Sequence, residues 1–278
     1  MKPPALEVTL SPAHLEVLRR ALLLLERTSF ATQLSEYAGR PANYLLRKMP
    51  KTIIDRLNRI AEIAIMKSLV VAIKSIKPAS NRPPATKVSS LLAGISGGVG
   101  GFLGVAALPV ELPLTTIVIL RAIADIARHH GENLSTIEGR LACVEVFALG
   151  DRGSNDGVNL GYYASRALLS KLTRDASTFL TQRGVASAST PVVGSFVSEV
   201  AARFGAVASE RVAAGAIPVI GALGGATVNL IFMNHFQKIA RGHFMVRRLE
   251  RLYGTEVVQW HYTHLAKQQA KSAAPTAE

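Results

Sequence analysis

Two stretches without a single Lys, Arg, Asp or Glu constrain this chain more than anything else in it: Val88–Val110, 23 residues, and Val212–Met233, 22 residues. As a helix the first is about 34 Å long, enough to cross a bilayer core of about 30 Å. Both are rich in glycine. Gly94, Gly97, Gly98, Gly100, Gly101 and Gly104 make three overlapping G-x-x-x-G pairs, and Gly221 with Gly225 makes a fourth. Four-residue spacing puts paired glycines on one helical face, where a second helix can approach closely and dispersion with weak C–H contacts holds the pair. In a water-exposed helix each such glycine costs about 1 kcal/mol relative to alanine, so close packing or membrane insertion has to compensate. Pro109 and Pro113 bound the first run and Pro218 interrupts the second.

Charge is distributed around these runs, not through them. The chain carries 32 basic and 19 acidic side chains over 278 residues, a net of +13. Residues 1–90 hold 15 basic and 6 acidic groups (+9), 91–120 only Glu111 (−1), 121–211 10 and 9 (+1), and 212–278 7 and 3 (+4). Lys and Arg beside an apolar segment favour the anionic cytoplasmic leaflet by about 1 kcal/mol each. The distribution therefore points to a membrane surface ahead of nucleic acid. Aromatics are only 6% of the chain and no nucleic-acid reading module stands out.

The remainder reads as helix. Ser11-Pro12 is an N-cap with proline at the first helical position, followed by Leu15, Leu18, Leu22 and Leu25 at helical spacing. Thr52 with Asp55 is expected to open a second helix that runs to about Ile76. Others are expected from about Thr115 to His130, from the capping box Ser135–Glu138 to Gly150, from Tyr162 to Thr181, from Val193 to Ser209, and from His235 to Leu252 as a basic amphipathic helix. No alternating β pattern and no repeat of fixed period is present. The fold class expected is all-α, a helical domain built around two Gly-rich apolar hairpins. Its organisation reads as a helical N-terminal extension (1–44), a helical domain (45–255) and a C-terminal tail (256–278).

Three readings of the runs compete: a tightly packed core hairpin of a soluble protein, a membrane-inserted or re-entrant hairpin, and a nucleophile elbow. The last rests on Gly94-Ile95-Ser96-Gly97-Gly98, which matches G-x-S-x-G; that motif needs a preceding strand, and no α/β alternation surrounds it. The helix-packing or membrane residues are Gly94, Gly97, Gly98, Gly101, Gly104, Pro109, Pro218, Gly221 and Gly225. A candidate polar site at the mouth of the first hairpin comprises Glu111, Arg121, Asp125 and Glu145, with Asn229 as a polar contact between helices. Arg121 and Asp125 stand i, i+4 and extend through Arg128 and His129, a pattern that also describes an ordinary solvated face. His129-His130 and His261/His264 lack the spacing of a metal set, neither a P-loop nor a dinucleotide fingerprint is present, and no cofactor is expected. The single cysteine, Cys143, is expected to be a small buried residue in an apolar helix. The N-terminus lacks the apolar region of an export signal, so a cytoplasmic chain is expected.

Four blocks resemble the EcsC family of bacterial proteins: the Gly-rich run ending in Pro109-Val110-Glu111-Leu112-Pro113-Leu114-Thr115; Leu120–Ala127 with Gly131-Glu132; Ile217–Ala226 with Asn229; and Arg248-Leu249-Glu250-Arg251-Leu252-Tyr253-Gly254. The resemblance spans about residues 45–255. The family takes its name from a gene beside the ATPase and membrane subunits of an ABC transporter. The resemblance implies membrane association and support of a transporter or envelope process, with a membrane-protein complex such as an ABC transporter as partner; it implies no reaction. Together with the charge pattern and the lack of an export signal, the expected place is the cytoplasmic side of the cytoplasmic membrane, peripheral or inserted, on an anionic membrane surface or lipid. The other class left open is a soluble lipid-handling protein or hydrolase with its cleft at the Gly-rich hairpins.

Overall fold

The computed structural model describes residues 9–26, 29, 30, 33, 49–76, 108–150, 161–184, 190–215 and 225–273. Among them are eight helices and no strand: α1 (Pro12–Glu26), α2 (Lys51–Ser75), α3 (Leu108–His129), α4 (Ile137–Leu149), α5 (Tyr162–Arg183), α6 (Pro191–Gly215), α7 (Gly225–Tyr253) and α8 (Thr255–Ala273). The all-α class is what the helical periodicity expects. The glycines at 94, 97, 98, 101, 104 and 221, together with Pro218 and Ser96, lie outside the described residues.

The organising element is α4. From Leu141 to Gly150 every residue is buried, because the sequence LACVEVFALG has no polar face to offer water. A helix apolar on all sides must be surrounded, and α4 contacts α2, α3, α5, α6 and α7. Cys143 is buried within it, as the apolar run around it requires. The centre is aromatic: Phe147 of α4 meets Phe204 of α6 edge-on at 5.2 Å and Phe236 of α7 at 5.3 Å, and Phe232 meets Phe236 at 5.1 Å. Pairs of this geometry add about 0.5–1.5 kcal/mol each beyond their burial. On the outer side of α7 lie α1 and α8. Where α1 crosses α7 the helices touch backbone to backbone: a Cβ on Gly242 would stand 2.7 Å from Leu25 Cγ and 3.1 Å from the Ala21 carbonyl oxygen.

Several boundaries differ from the sequence expectation, each for a physical reason. Helix α3 starts at Leu108, seven residues before Thr115, and passes through Pro113. Proline in a first turn forfeits no bond, and Pro113 forfeits only the one it would donate to Pro109. The cap of α4 is Thr136, whose Oγ1 accepts from the Gly139 N–H at 3.1 Å, whereas Ser135 turns back to donate to Asn133 Oδ1. Helix α2 begins after Pro50 with no side-chain cap, so Thr52 and Asp55 do not open it. Helix α7 begins ten residues before His235, and α8 occupies most of what reads as a tail. By contrast, Ser11 Oγ accepts the His14 N–H at 3.3 Å, and α1 starts at Pro12 as its capping pattern dictates.

Helix α6 is the one described helix long and apolar enough to cross a membrane, over Pro191–Ala213, yet 56% of its most apolar stretch is buried inside the bundle. Its neighbours are α2, α4, α5 and α7.

Candidate functional site

Among the described residues, buried charge gathers in two places. The larger is a polar seam between α4, α5 and α7, with the turn after α3 at one end. Helix α7 contributes His243, Arg247 and Glu250, spaced i, i+4, i+7 and hence on one face. Helix α5 contributes Tyr162, Tyr163 and Arg166, and α4 contributes Glu145. Arg166 Nη1 donates to Glu250 Oε1 at 2.7 Å and to the Tyr162 hydroxyl at 3.3 Å, while the Tyr163 hydroxyl donates to the same Glu250 oxygen at 2.9 Å. The Tyr162 hydroxyl also lies within hydrogen-bond distance of His243 Nδ1, 2.9 Å away. His243 Nε2, on the other side of the ring, is buried and has no hydrogen-bond partner among the described residues.

Burial sets the protonation states here. It drives His243 well below the usual imidazole range, and Arg166 and Arg247 push in the same direction, so the ring is neutral. It raises Glu145, against the pull of Arg166 and Arg247. Glu132, just beyond α3, shows the opposite balance: burial raises it, but a fork of hydrogen bonds from Arg247 (2.9 and 2.7 Å) and one from Arg251 (2.6 Å) holds it below the ordinary carboxylate range. Gly131, at φ +74°, is the left-handed residue that closes α3, with the Glu132 N–H returning to the Ala127 carbonyl at 2.9 Å. Beside it His130 is lowered to about 4 by burial, then by His129, Arg248, Arg251 and Arg241. The N-terminus of α5 has no side-chain cap of its own, and Glu26 from the end of α1 serves instead, accepting the Tyr162 N–H at 3.2 Å and the Tyr262 hydroxyl at 2.8 Å.

The second place is an ion pair joining Arg211, near the end of α6, to Glu111, in the first turn of α3. Both side chains are nearly buried, and the Arg211 guanidinium lies 5.2 Å from the centre of the Phe232 ring in α7. Arg211 Nη1 is buried without a hydrogen-bond partner among the described residues.

The residues singled out by the sequence are therefore dispersed. Glu111 belongs to the Arg211 pair and Glu145 to the seam. Asp125 lies fourteen residues beyond Glu111 on α3, about 21 Å along the axis, and pairs with Arg128. Arg121 is exposed; Asn229 is buried in α7; Pro109 is exposed at the start of α3, and Gly225 opens α7. The seam itself is missed by reading α7 as a basic amphipathic helix with a solvated polar face. Its signal is the stripe His243, Arg247, Glu250, which in a helix opening with an apolar run was the clue that the polar face also meets protein.

Chemically, the seam holds charge and does not present it. Arg166, Glu250, Tyr163 and Arg247 are each committed to a partner on another element, and burial raises the Cys143 thiol, so no thiolate is offered. Among the described residues no three of His, Cys, Asp and Glu gather as a metal would require. Trp260 instead stacks on His264 at 5.3 Å. No curated protein and no solved structure matches the chain. Residues 23–249, most of its length, match the EcsC protein family. The match begins inside α1 and ends one residue before Glu250, so it takes in α2 to α6 and nearly all of α7; this chain belongs to the EcsC protein family.

Proposed function

We propose that the protein is a membrane-associated, non-catalytic helical protein on the cytoplasmic side of the cytoplasmic membrane, held there peripherally or by insertion, and that it supports an ABC transporter or an envelope process. The observation that carries this reading is the pattern of the chain: two charge-free, glycine-rich runs, with +9 before the first and +4 across the second and the C-terminal residues. Apolar insertion and attraction of Lys and Arg to anionic headgroups add, so two such signals in one chain favour a lipid surface over water. The ABC-transporter role rests on family resemblance alone. Fractionation tests the membrane part. Sedimentation with membranes that survives a carbonate wash means insertion, release by high salt or carbonate means a peripheral protein held by charge, and quantitative recovery as soluble protein at low salt with no lipid binding overturns the reading. Co-purification with a transporter ATPase subunit tests the partner. A lipase or esterase activity lost in Ser96→Ala would move the assignment to the hydrolase class.

A further inference from the structure

Helix α7 is buried on nearly every side, and what it leaves open falls on one line. Between residues 234 and 252, Arg247, Glu250 and Arg251 are engaged with Glu132 and Arg166. The other positions that are not buried are Asn234, Lys238, Arg241, Met245, Arg248 and Leu252, alternately four and three residues apart. That spacing is one face of a helix. About 100° per residue sets the line between two edges of α7. One edge meets α1 through Gly242 and Tyr253, and the other meets Glu132 through Arg247 and Arg251. Lys238, Arg241 and Met245 are half-buried, so part of each stem is already covered, and the three cations extend about 15 Å along the axis. No acid of the surrounding helices answers them. Lys238 reaches only the Gln33 amide, at 3.0 Å, while Arg241 and Arg248 have neither an ion pair nor a hydrogen bond among the described residues. Every acid on α1, α3 and α7 is engaged elsewhere: Glu16 with Arg19 and Arg20, Glu26 with the Tyr162 N–H and the Tyr262 hydroxyl, Glu111 with Arg211, Asp125 with Arg128, and Glu250 with Arg166. Glu132 is taken by Arg247 and Arg251. Like charges held side by side weaken a fold, and an acidic partner relieves that repulsion.

We propose that this face of α7 is a docking surface for an acidic amphipathic helix of another protein, whose carboxylates meet Lys238, Arg241 and Arg248 and whose apolar residues meet Met245 and Leu252 (58% exposed). The docking surface goes beyond membrane association and does not rest on it. A second copy of the chain does not fit, since each copy carries a net of +13. Register favours a helix over anionic headgroups. Alternating spacings of three and four fix cations and apolar side chains on a line one residue wide, which matches a second helix and which a fluid layer of headgroups does not require.

The test titrates the full chain into a fluorescently labelled peptide of about 20 residues, long enough to form a helix, and follows anisotropy. The peptide carries Glu at the positions facing Lys238, Arg241 and Arg248 and Leu at those facing Met245 and Leu252, made in both the parallel and the antiparallel order. Its comparison is a peptide of the same composition with the acids scrambled around the helix. In one of the two orders the matched peptide should bind about tenfold or more tightly than the scrambled one. Arg241→Glu/Arg248→Glu should weaken that binding by about tenfold or more without lowering the unfolding midpoint, since neither arginine has a partner to lose. Lys67→Glu/Lys74→Glu makes the same change in net charge at exposed positions of α2 and should leave binding within about twofold. Equal binding of matched and scrambled peptides, equal loss in the two double variants, or no binding of any peptide overturns the proposal. Vesicles of phosphatidylethanolamine and phosphatidylglycerol form the second arm. Vesicle binding that is lost in Arg241→Glu/Arg248→Glu, with the matched peptide no better than the scrambled one, makes the face a headgroup surface; that result overturns the helical partner and leaves membrane association standing.

Discussion

Arg166→Met asks whether the seam is a buried electrostatic unit or a set of screened pairs. Methionine keeps most of the aliphatic stem but removes the guanidinium, with its contacts to the Tyr162 and Tyr163 rings. Glu250, whose side chain is only 7% exposed, then loses its ion-pair partner and keeps only the Tyr163 hydroxyl. Stranding one member of a buried pair costs about 3–5 kcal/mol, because the remaining charge stays desolvated without compensation. Two features place this case near the lower end: Arg166 itself is 18% exposed, and the Tyr163 bond survives. About 3 kcal/mol for a chain of this size is a fall in Tm of about 6–12 °C. Thermal and urea unfolding followed by far-UV circular dichroism measures it. Glu250→Gln alone should also destabilise, and the double variant Arg166→Met/Glu250→Gln should recover about 2 kcal/mol relative to the sum of the singles, since neither partner is then left charged. A single-variant cost within about 1 kcal/mol, or simple additivity in the cycle, refutes the argument and makes Arg166–Glu250 equivalent to an exposed pair.

Acid should destabilise the fold through His243. Its folded pKa lies below the 6.5 of the unfolded chain, so the unfolded state takes up the proton first, and stability falls as pH drops below that value, by up to about 1.4 kcal/mol per pH unit. Glu145, raised by burial, contributes with the opposite sign and is present in both proteins compared below. The comparison that isolates the histidine is therefore wild type against His243→Gln between about pH 7 and about pH 5.5, since Glu145 contributes equally to both; equal slopes for the two proteins would show that His243 does not titrate as described. Gly242→Ala should destabilise by about 1–3 kcal/mol, because the added methyl meets Leu25 and the Ala21 carbonyl of α1; unchanged unfolding midpoints would mean that α1 shifts at no cost. Cys143 should be inert to a thiol reagent in the native state and react at the rate of global unfolding; rapid modification of folded protein would contradict its burial.

Much of the helical content is legible from local chemistry. Ser11-Pro12 starts α1, Gly131 ends α3, and the unbroken apolar character of 141–149 announces a helix surrounded by protein. These signals act within one or two turns, which is the range over which capping, backbone handedness and periodicity operate. Local signals also mislead where a nearby tertiary contact supplies what the sequence lacks. Helix α5 begins at Tyr162 without a capping side chain because Glu26, more than a hundred residues earlier, takes its first N–H. Helix α8 has no strong amphipathic stripe and reads as a tail, yet it packs on α7 and α1.

The candidate polar residues divide in the same way. Their types and positions on helices are in the sequence; their partners are not. Asp125 is four residues after Arg121 and three before Arg128, both allowed by helical geometry, and packing selects Arg128. Glu111 and Glu145 look alike as isolated acids near an apolar run, but one meets an arginine a hundred residues away and the other is buried where its proton is favoured. What the chain determined by itself is the all-helical class, the two charge-free runs and the placement of basic residues around them, because propensity and hydropathy are properties of short segments. What only the tertiary structure decided is which charges neutralise which, and that the flanks of both runs meet at Arg211, because a contact between distant residues depends on how whole helices cross.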